Sequence, residues 1–323
     1  MKNIFIRFIA ASLLLSPVVV YGYPLDGYEE TGIRRVEAAR LAHEGVIKGS
    51  KQPPGALLST QQVDLRLLNH RDMNLPQPDP EFTQEIKSLL GKEADRYGIS
   101  VLDLTNPDKP RYAEYRGDYS QNVGSIGKLI GALGLFQALA DNWPADLEKR
   151  RQILKNSSVT ADEFSVSDHH KVRDFNVETR ELSRHVIQVG QQATLWNYLD
   201  WMLSVSSNSA AAMVMREAML MRQYGKAYPP SEEEIQRFFK QTPSKELTAL
   251  FQRTFFEPLT RNGFDLTQIR QGSFFTRQGK HLVNGGGNSY ATSVSYTHLR
   301  AHETRSVIAY AVFCLKRGGG GGG

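Results

Sequence analysis

Hydrophobic positions are most continuous in residues 119–140, which have the sequence YSQNVGSIGKLIGALGLFQALA. From residue 123 onward, every position of this stretch is apolar or glycine except Ser125, Lys128 and Gln137. Because the large apolar side chains occupy every face at helical spacing, the pattern predicts a helix that is buried on all sides. A lysine near the beginning of such a helix needs a partner or must lose its proton, since burying a lone ammonium costs several kcal/mol.

Patterns before and after this helix predict the surrounding elements. Residues 81–97 carry the apolar stripe of a helix, and residues 99–104 and 111–115 are typical of two strands joined by a proline-containing turn. Further helices are predicted at residues 29–42, 194–203, 210–222, 232–239 and 244–256. Residues 145–189 are expected to be polar and mostly helical, with a looser stretch near residues 156–168. A helix, a hairpin and then a buried helix indicate an α+β protein.

The N-terminus has the pattern of a secretory signal peptide over residues 1–22. Lys2 and Arg7 precede an apolar run at residues 8–20. Val20 and Gly22 then provide a β-branched and a small residue at the cleavage positions, and cleavage is expected after Gly22. A membrane anchor is the alternative, but the run is short for a span. We therefore expect a secreted or periplasmic protein whose mature chain has no stable membrane span, with residues 23–80 as an N-terminal extension and linker.

Charge and cysteine content narrow the class of partner. The formal net charge is +5, of which Lys2 and Arg7 contribute two and the residues after Ser293 contribute three. The remaining body is close to neutral, so no basic field predicts nucleic-acid binding. The single cysteine, Cys314, lies in the tail, so the body is expected to be stabilised by its core without a disulfide.

Ser125 and Lys128 form a candidate catalytic pair. They are three positions apart, which places them side by side on one face of a helix. Asn122 is a good capping residue, so the helix and its positive dipole end are expected to begin near Ser125. A hydroxyl beside an amine whose pKa is lowered by burial is typical of an activated serine nucleophile. The alternative is a chance motif whose lysine reaches the surface along its aliphatic stem.

A second motif, Ser206-Ser207-Asn208, lies between two predicted helices. Serine and asparagine are ordinary capping residues at such a junction. The functional alternative is that Ser206 and Asn208, two positions apart on a tight turn, project together into a cleft.

A metal site was considered at Asp168-His169-His170, with Asp174 and His185 nearby. Their spacing matches no strong metal signature, and no pair of ligands four positions apart on a helix is present. Surface histidines are therefore the favoured interpretation, and no metal or cofactor is expected.

The two motifs, S-x-x-K at residues 125–128 and S-x-N at residues 206–208, resemble those of the penicillin-recognising serine hydrolases. These are the class A β-lactamases and the DD-peptidases. Residues 202–211 are similar to the β-lactamase segment around the second motif, with Ser207 where aspartate is usual, and residues 288–292 resemble a segment that opens a late helix. The resemblance covers residues 81–293 and implies a β-lactamase/transpeptidase-like fold, in which an α/β sandwich domain is joined to an all-α domain.

The resemblance also implies roles for the motif residues. Ser125 would attack the carbonyl of a β-lactam or a peptide, with its backbone N–H forming half of an oxyanion hole, and Lys128 would accept the serine proton. Ser206 would relay a proton towards the leaving nitrogen, and Asn208 would bind the side-chain amide of the substrate. The implied partner is a small-molecule or cell-wall peptide substrate.

Two departures from the family pattern affect these expectations. The glutamate that activates the deacylating water should lie near residues 270–278, where the sequence IRQGSFFTRQG contains no acid. No K-[TS]-G follows Ser206, and from Val294 the sequence resembles a translated sequencing adapter followed by six glycines. The alternative is a natural flexible glycine tail or an expression scar. Residues 81–293 are therefore expected to be an incomplete hydrolase domain that lacks its C-terminal sheet strands, and residues 294–323 a non-native tail. Such a chain is predicted to be poorly stable and inactive, with an open hairpin edge and an uncovered Ser125 helix.

Two further hypotheses remain open. One is a non-catalytic pseudoenzyme of the same fold that binds cell wall or acts as a scaffold. The other is an unrelated helical exported protein with two chance motifs, which full solvent exposure of Lys128 would support.

Overall fold

The computed structural model describes residues 26–49, 67, 70, 73–122, 124–165, 168–275, 281–285 and 287–302. The predicted signal peptide, most of the linker between residues 50 and 72 and the tail beyond residue 302 lie outside these residues.

Short strand pairs are distributed around a set of helices. In the described residues the helices are α1 (Gly27–Thr31), α2 (Arg34–His43), α3 (Pro80–Leu90), α4 (Lys128–Asn142), α5 (Leu147–Asn156), α6 (Leu195–Ser204), α7 (Asn208–Tyr224), α8 (Glu232–Gln241), α9 (Ser244–Phe255), α10 (Glu257–Arg261) and α11 (Ser293–His302). The strands are β1 (Ile99–Asp103), β2 (Arg111–Tyr115), β3 (Ser158–Thr160), β4 (Val172–Phe175), β5 (Leu182–His185), β6 (Gln192–Thr194), β7 (Ile269–Arg270), β8 (Phe274–Phe275), β9 (His281–Val283) and β10 (Tyr290–Ala291). They form the antiparallel pairs β1–β2, β3–β6, β4–β5, β7–β10 and β8–β9.

Helix α4 is the centre of the core, as its apolar sequence predicted. Its side chains from Leu129 to Leu139 are buried except for Gln137, and it packs against α6, α7, α9 and α10. The helix begins at Lys128, because a 3₁₀ turn over Gly124–Gly127 precedes it. The expectation that this helix is largely uncovered is wrong, since the cover comes from neighbouring helices and does not depend on further strands.

The helices around α4 follow their predicted positions within a few residues. The side chain of Thr194 caps α6 by accepting a hydrogen bond from the Asn197 N–H, and the side chain of Ser207 caps α7 in the same way. Ser231 and Glu234 form a capping box at the beginning of α8. The serines and threonines between apolar runs therefore begin helices by satisfying their first N–H groups.

The predicted hairpin is present as β1–β2, with Ile99 opposite Tyr115 and Asp103 opposite Arg111. Helix α3 packs on β2 and α11 packs on β1. Leu299 of α11 is only 2 % exposed. Residues 294–302, which the sequence analysis assigned to the tail, thus contribute to this layer, while the origin of the tail stays a prediction.

The prediction that residues 145–189 are mostly helical is wrong. After α5, the chain forms β3 and then the β4–β5 hairpin, whose inward residues Val172 and Phe175 are fully buried. The Asn176 side chain accepts hydrogen bonds from the N–H groups of residues 178 and 179, which stabilises the turn. Strands of three or four residues are too short to show a hydrophobic period, so the hydrogen bonds of the turn, and not the polar composition, determine the structure of this segment.

The N-terminal extension packs on the helical core. Gly32, with φ 70°, divides the predicted helix of residues 29–42 into α1 and α2. The Arg35 guanidinium of α2 contacts both carboxylate oxygens of Asp200 on α6 at 2.6 Å. The indole N–H of Trp196 donates to the carbonyl oxygen of Thr31 at 2.8 Å. None of the helices in the described part of the chain is long and apolar enough to cross a membrane.

The close contact of α4 with α9 predicts unequal effects of alanine at two glycines of the same helix. A Cβ at Gly134 would lie 2.6 Å from the Phe255 ring and 2.8 Å from the Thr254 carbonyl oxygen. A Cβ at Gly131 would lie 3.1 Å from Met215, a flexible side chain that can move. We expect Gly134→Ala to lower the free energy of unfolding by about 1–3 kcal/mol. Gly131→Ala should be close to neutral, because its helix propensity improves. Urea unfolding of both variants measures the difference, and equal stabilities would contradict the described packing.

Candidate active site

Ser125 and Ser206 approach each other because α4 packs against α7. Ser125 lies in the 3₁₀ turn that leads directly into α4, and Lys128 is the first residue of that helix. Ser206 lies in the short connection between α6 and α7. The Asn122 side chain accepts a hydrogen bond from the Gly124 N–H at 2.9 Å, which fixes the beginning of the turn. The predicted capping residue therefore acts on the 3₁₀ turn and not on α4 itself.

The amine of Lys128 joins the two serines. Its Nζ atom lies 3.0 Å from Ser125 Oγ and 2.9 Å from Ser206 Oγ, and it also donates to the Ser206 carbonyl oxygen. A neutral amine has two N–H donors and one lone pair, so it can donate twice to Ser206 while accepting the hydroxyl hydrogen of Ser125. The geometry suits removal of the Ser125 proton by Lys128. The side chain is partly buried, which is not the full exposure that a chance motif would show.

The protonation equilibrium of Lys128 favours this chemistry. Burial lowers the pKa of Lys128 to about 8, although the nearby negative charge of Asp168 acts in the opposite direction. About one-tenth of the amine is therefore neutral at pH 7, compared with far less for an ordinary lysine.

Ser206 has a left-handed backbone conformation, with φ 61°. This region is uncommon for residues other than glycine and costs roughly 1–2 kcal/mol. In return, both the carbonyl oxygen and the hydroxyl of Ser206 face the Lys128 amine. The next residue, Ser207, is completely buried and donates its N–H to the Trp201 carbonyl oxygen at 3.2 Å.

Asp168 lies behind this turn and is 5 % exposed. Its Oδ2 atom accepts from the Ser207 hydroxyl at 2.6 Å and from the Ser209 N–H at 3.1 Å. Its Oδ1 atom accepts from the N–H groups of His169 and His170 and lies 2.5 Å from His170 Nδ1. Burial alone would raise the pKa of Asp168, but these hydrogen bonds, the Ser207 one foremost, hold it well below its usual range. Since an ionised carboxylate only accepts, His170 Nδ1 carries the hydrogen of that contact.

Asp168 was not among the site residues predicted from the sequence. It was grouped with surface histidines, and His169 is indeed exposed, with its ring stacked on that of His170 at 4.4 Å. Ligand atoms of Asp168, His169 and His170 lie within 4.8 Å of one another, but the two Asp168 oxygens already accept five hydrogen bonds. The available signal in the sequence was Ser207, which stands where aspartate is usual in the family, because the carboxylate then has to come from elsewhere in the chain.

Asn208 is placed at the edge of this group. It is the first residue of α7 and is exposed. Among the hydrogen bonds of the described residues, its side chain takes no part in those that join Ser125, Lys128 and Ser206. A substrate-binding role for Asn208 stays a prediction.

A late segment of the chain forms the wall behind the 3₁₀ turn that contains Ser125. Gln121 and Ala291 exchange two backbone hydrogen bonds of 3.1 Å, which attaches β10 next to the turn. A Cβ at Gly127 would lie 2.7 Å from the side-chain oxygen of Gln271, and that oxygen is buried without a hydrogen-bond partner among the described residues. Gln271 belongs to the acid-free stretch of residues 270–278. Residues 276–278 of that stretch lie outside the described part of the chain.

Comparison with known proteins gives one match. The family model described as "Beta-lactamase enzyme family" matches residues 81–242, which is half of the chain and includes Ser125, Lys128, Ser206 and Asn208. A search of curated proteins and a search of solved structures each found no match.

The left-handed conformation of Ser206 leads to a stability prediction. Glycine avoids the Cβ clash of this conformation, whereas alanine keeps it, and both remove the hydroxyl. We expect Ser206→Gly to be more stable than Ser206→Ala by about 1 kcal/mol in urea unfolding. At Ser204, the last residue of α6, the order should be reversed, because glycine weakens a helix relative to alanine. If alanine were the more stable variant at both positions, φ at Ser206 would not be left-handed in solution.

Proposed function

This chain belongs to the beta-lactamase enzyme family, and on that premise we propose that it is a serine hydrolase that forms an acyl-enzyme through Ser125. The resemblance inferred from the two motifs is thereby confirmed, as is the α+β, β-lactamase-like fold class. Membership of the family implies a small-molecule substrate. The finer proposal is that the substrate is a β-lactam, a cell-wall peptide or a related amide or ester.

One observation carries this proposal. The Lys128 amine lies within hydrogen-bonding distance of two serine hydroxyls from separate elements, Ser125 at 3.0 Å and Ser206 at 2.9 Å. A nucleophile, its base and a second hydroxyl in one hydrogen-bonded chain are the parts that acyl transfer requires. A lysine with a purely structural role needs only hydrogen-bond acceptors, and the Ser206 carbonyl oxygen is already one. Two serine hydroxyls at the same amine are therefore better explained by proton transfer.

The proposed acylation step uses these groups in sequence. Neutral Lys128 removes the hydroxyl proton of Ser125 while Oγ forms a bond to the substrate carbonyl carbon. The backbone N–H of Ser125 is proposed as one donor to the resulting oxyanion. When the carbon–nitrogen bond breaks, the proton passes from Lys128 through the Ser206 hydroxyl to the leaving nitrogen. Asn208, exposed beside the turn, is proposed to bind the amide side chain of the substrate.

Deacylation is proposed to be slow. It requires a base for water, and the sequence IRQGSFFTRQG, which includes the wall at Gln271, contains no carboxylate. We therefore propose a long-lived acyl-enzyme, which is closer to a DD-peptidase-like protein than to an efficient β-lactamase. Export to the periplasm, as residues 1–22 predict, would place the protein beside the cell wall.

Labelling with a fluorescent penicillin tests the proposed nucleophile. The predicted inactivity rested in part on an uncovered Ser125 helix, and α4 is covered by α6, α7, α9 and α10. We therefore expect the folded chain to form a covalent adduct that survives denaturing electrophoresis, and Ser125→Ala to abolish it. Ser88→Ala, at an exposed serine of α3, is the matched control and should be labelled normally. A cooperatively unfolding chain that takes no label would instead support the pseudoenzyme hypothesis of a cell-wall-binding or scaffold protein.

The rate of labelling should depend on pH through Lys128. The base is active only when neutral, so activity is present above the Lys128 pKa of about 8 and is lost below it. We expect the acylation rate constant to rise about tenfold per unit between pH 6 and 7 and to level off above pH 8. Quenched-flow labelling with the fluorescent penicillin measures this acidic limb of the pH profile. A rate constant that does not change between pH 6 and 8 would exclude Lys128 as the base.

A further inference from the structure

We infer that Asp168 is a positioning residue of the acylation site, which holds the turn that presents Ser206 to Lys128 and places a negative charge beside that lysine. This inference deepens the proposed function and rests on it. Asp168 touches neither Ser125 nor the place of a substrate, and it acts through Ser207 and Lys128.

The hydrogen bonds of Asp168 account for the first turn of α7. The Ser209 N–H donates to Asp168 Oδ2, and the Ala210 N–H donates to Ser207 Oγ, which in turn donates to the same Oδ2 atom. The carboxylate thus lies at the positive end of a helix of 17 residues, where negative charge is stabilised. The Ser209 hydroxyl also donates to the Ser165 carbonyl oxygen, which attaches the helix to the segment before Asp168.

This attachment acts directly on Ser206. The left-handed residue is followed by Ser207, whose hydroxyl is used both as a donor to Asp168 and as an acceptor from Ala210. Rotation of Ser206 out of its unusual conformation would break these buried hydrogen bonds. A strained backbone at a site is maintained only by such surroundings.

Asp168 acts electrostatically on Lys128, whereas the following charged groups of neighbouring elements have other partners. His170 contacts Asp168, and the exposed His169 stacks on His170. On α7, which packs against α4, Arg216 and Glu217 pair with each other. Asp141, at the far end of α4, binds Arg222 and Arg261. In the described part of the wall behind the turn, Gln271 and Ser289 are uncharged, and Arg270 donates to the Gly285 carbonyl oxygen at 2.8 Å. Asp168 is the one group among these that acts electrostatically on the Lys128 amine.

The test exchanges the members of the Asp168–Ser207 hydrogen bond. We would measure fluorescent-penicillin acylation against pH for the wild type, Asp168→Asn, Ser207→Asp and the double variant. Asp168→Asn should lower the limiting rate at least about tenfold, because Ser206 is held less firmly. It should also move the acidic limb to lower pH by about 0.5–1 unit, because Lys128 loses a neighbouring negative charge. Ser207→Asp alone brings two carboxylates together and should also be slow.

The double variant should recover most of the activity. It keeps one carboxylate and one donor in the same hydrogen bond, with their positions exchanged. We expect its limiting rate to lie within about threefold of the wild type and its acidic limb to return towards the wild-type position. Asp141→Asn is the matched control, because it neutralises another ion-paired carboxylate, at the far end of α4, and should leave the limb unmoved.

Three results would overturn the inference. The first is an acidic limb that does not move in Asp168→Asn, which would leave Asp168 with only a structural role. The second is a double variant that is acylated no faster than the slower single variant. The third is a double variant that does not fold. Should Asp168→Asn itself not fold, the double variant decides the question.

A second measurement separates this inference from the proposed function. In protein labelled with ¹³Cε-lysine, the Lys128 signal is assigned by its loss in Lys128→Arg, and its titration is followed without any acylating probe. A wild-type chain that takes no label would refute the proposed function. A lower titration midpoint in Asp168→Asn would still support the role of Asp168, and an unchanged midpoint would refute it.

Discussion

The structure of the site depends on one constraint, the need of the Lys128 amine for polar partners at the beginning of a buried helix. The partners come from the Ser206 turn, whose carbonyl oxygen and hydroxyl both contact Nζ. This arrangement requires a left-handed residue, and that residue requires support from Ser207 and Asp168. The strain at Ser206 and the buried carboxylate are therefore consequences of placing an amine next to Ser125 at the beginning of a buried helix.

Much of the fold could be predicted because its central elements are long or regularly patterned. The apolar run of α4, the β1–β2 hairpin and the helices on either side of Ser207 follow from periodicity and capping residues. The segment after α5 could not be predicted in this way. Its strands have three or four residues each, so they present too few positions for a period, and the Asn176 turn is a local feature without a hydrophobic pattern. The packing of α11 on β1 is a long-range contact that no local pattern indicates.

In the candidate site, too, the residues with a local pattern could be predicted and those brought together by tertiary structure could not. Ser125 and Lys128 could be recognised because three positions on a helix give a known geometry, and Ser206 because it stands between two helices. Asp168 could not, because its partner Ser207 is 39 positions away and only the tertiary structure brings them together. The Gln271 side chain beside Gly127 is a similar case, since Gln271 lies far along the chain, after α10, and only the tertiary structure brings the two residues together. Sequence spacing predicts which side chains can react, whereas the groups that orient them come from the topology.

The N-terminal extension contributes to the same support. Ala38 and Leu41 of α2 pack with Phe175 of β4. On the same strand, the carbonyl oxygen of Arg173 accepts a hydrogen bond from the indole N–H of Trp201 at 3.0 Å. The carbonyl oxygen of Trp201 accepts the N–H of Ser207. Because Arg35 also binds Asp200 on the same helix, α6 is held from two sides immediately before the Ser206 turn. A strained turn keeps its conformation only if the elements at both ends are rigid, and here α2 and β4 stabilise one end while Asp168 stabilises the other.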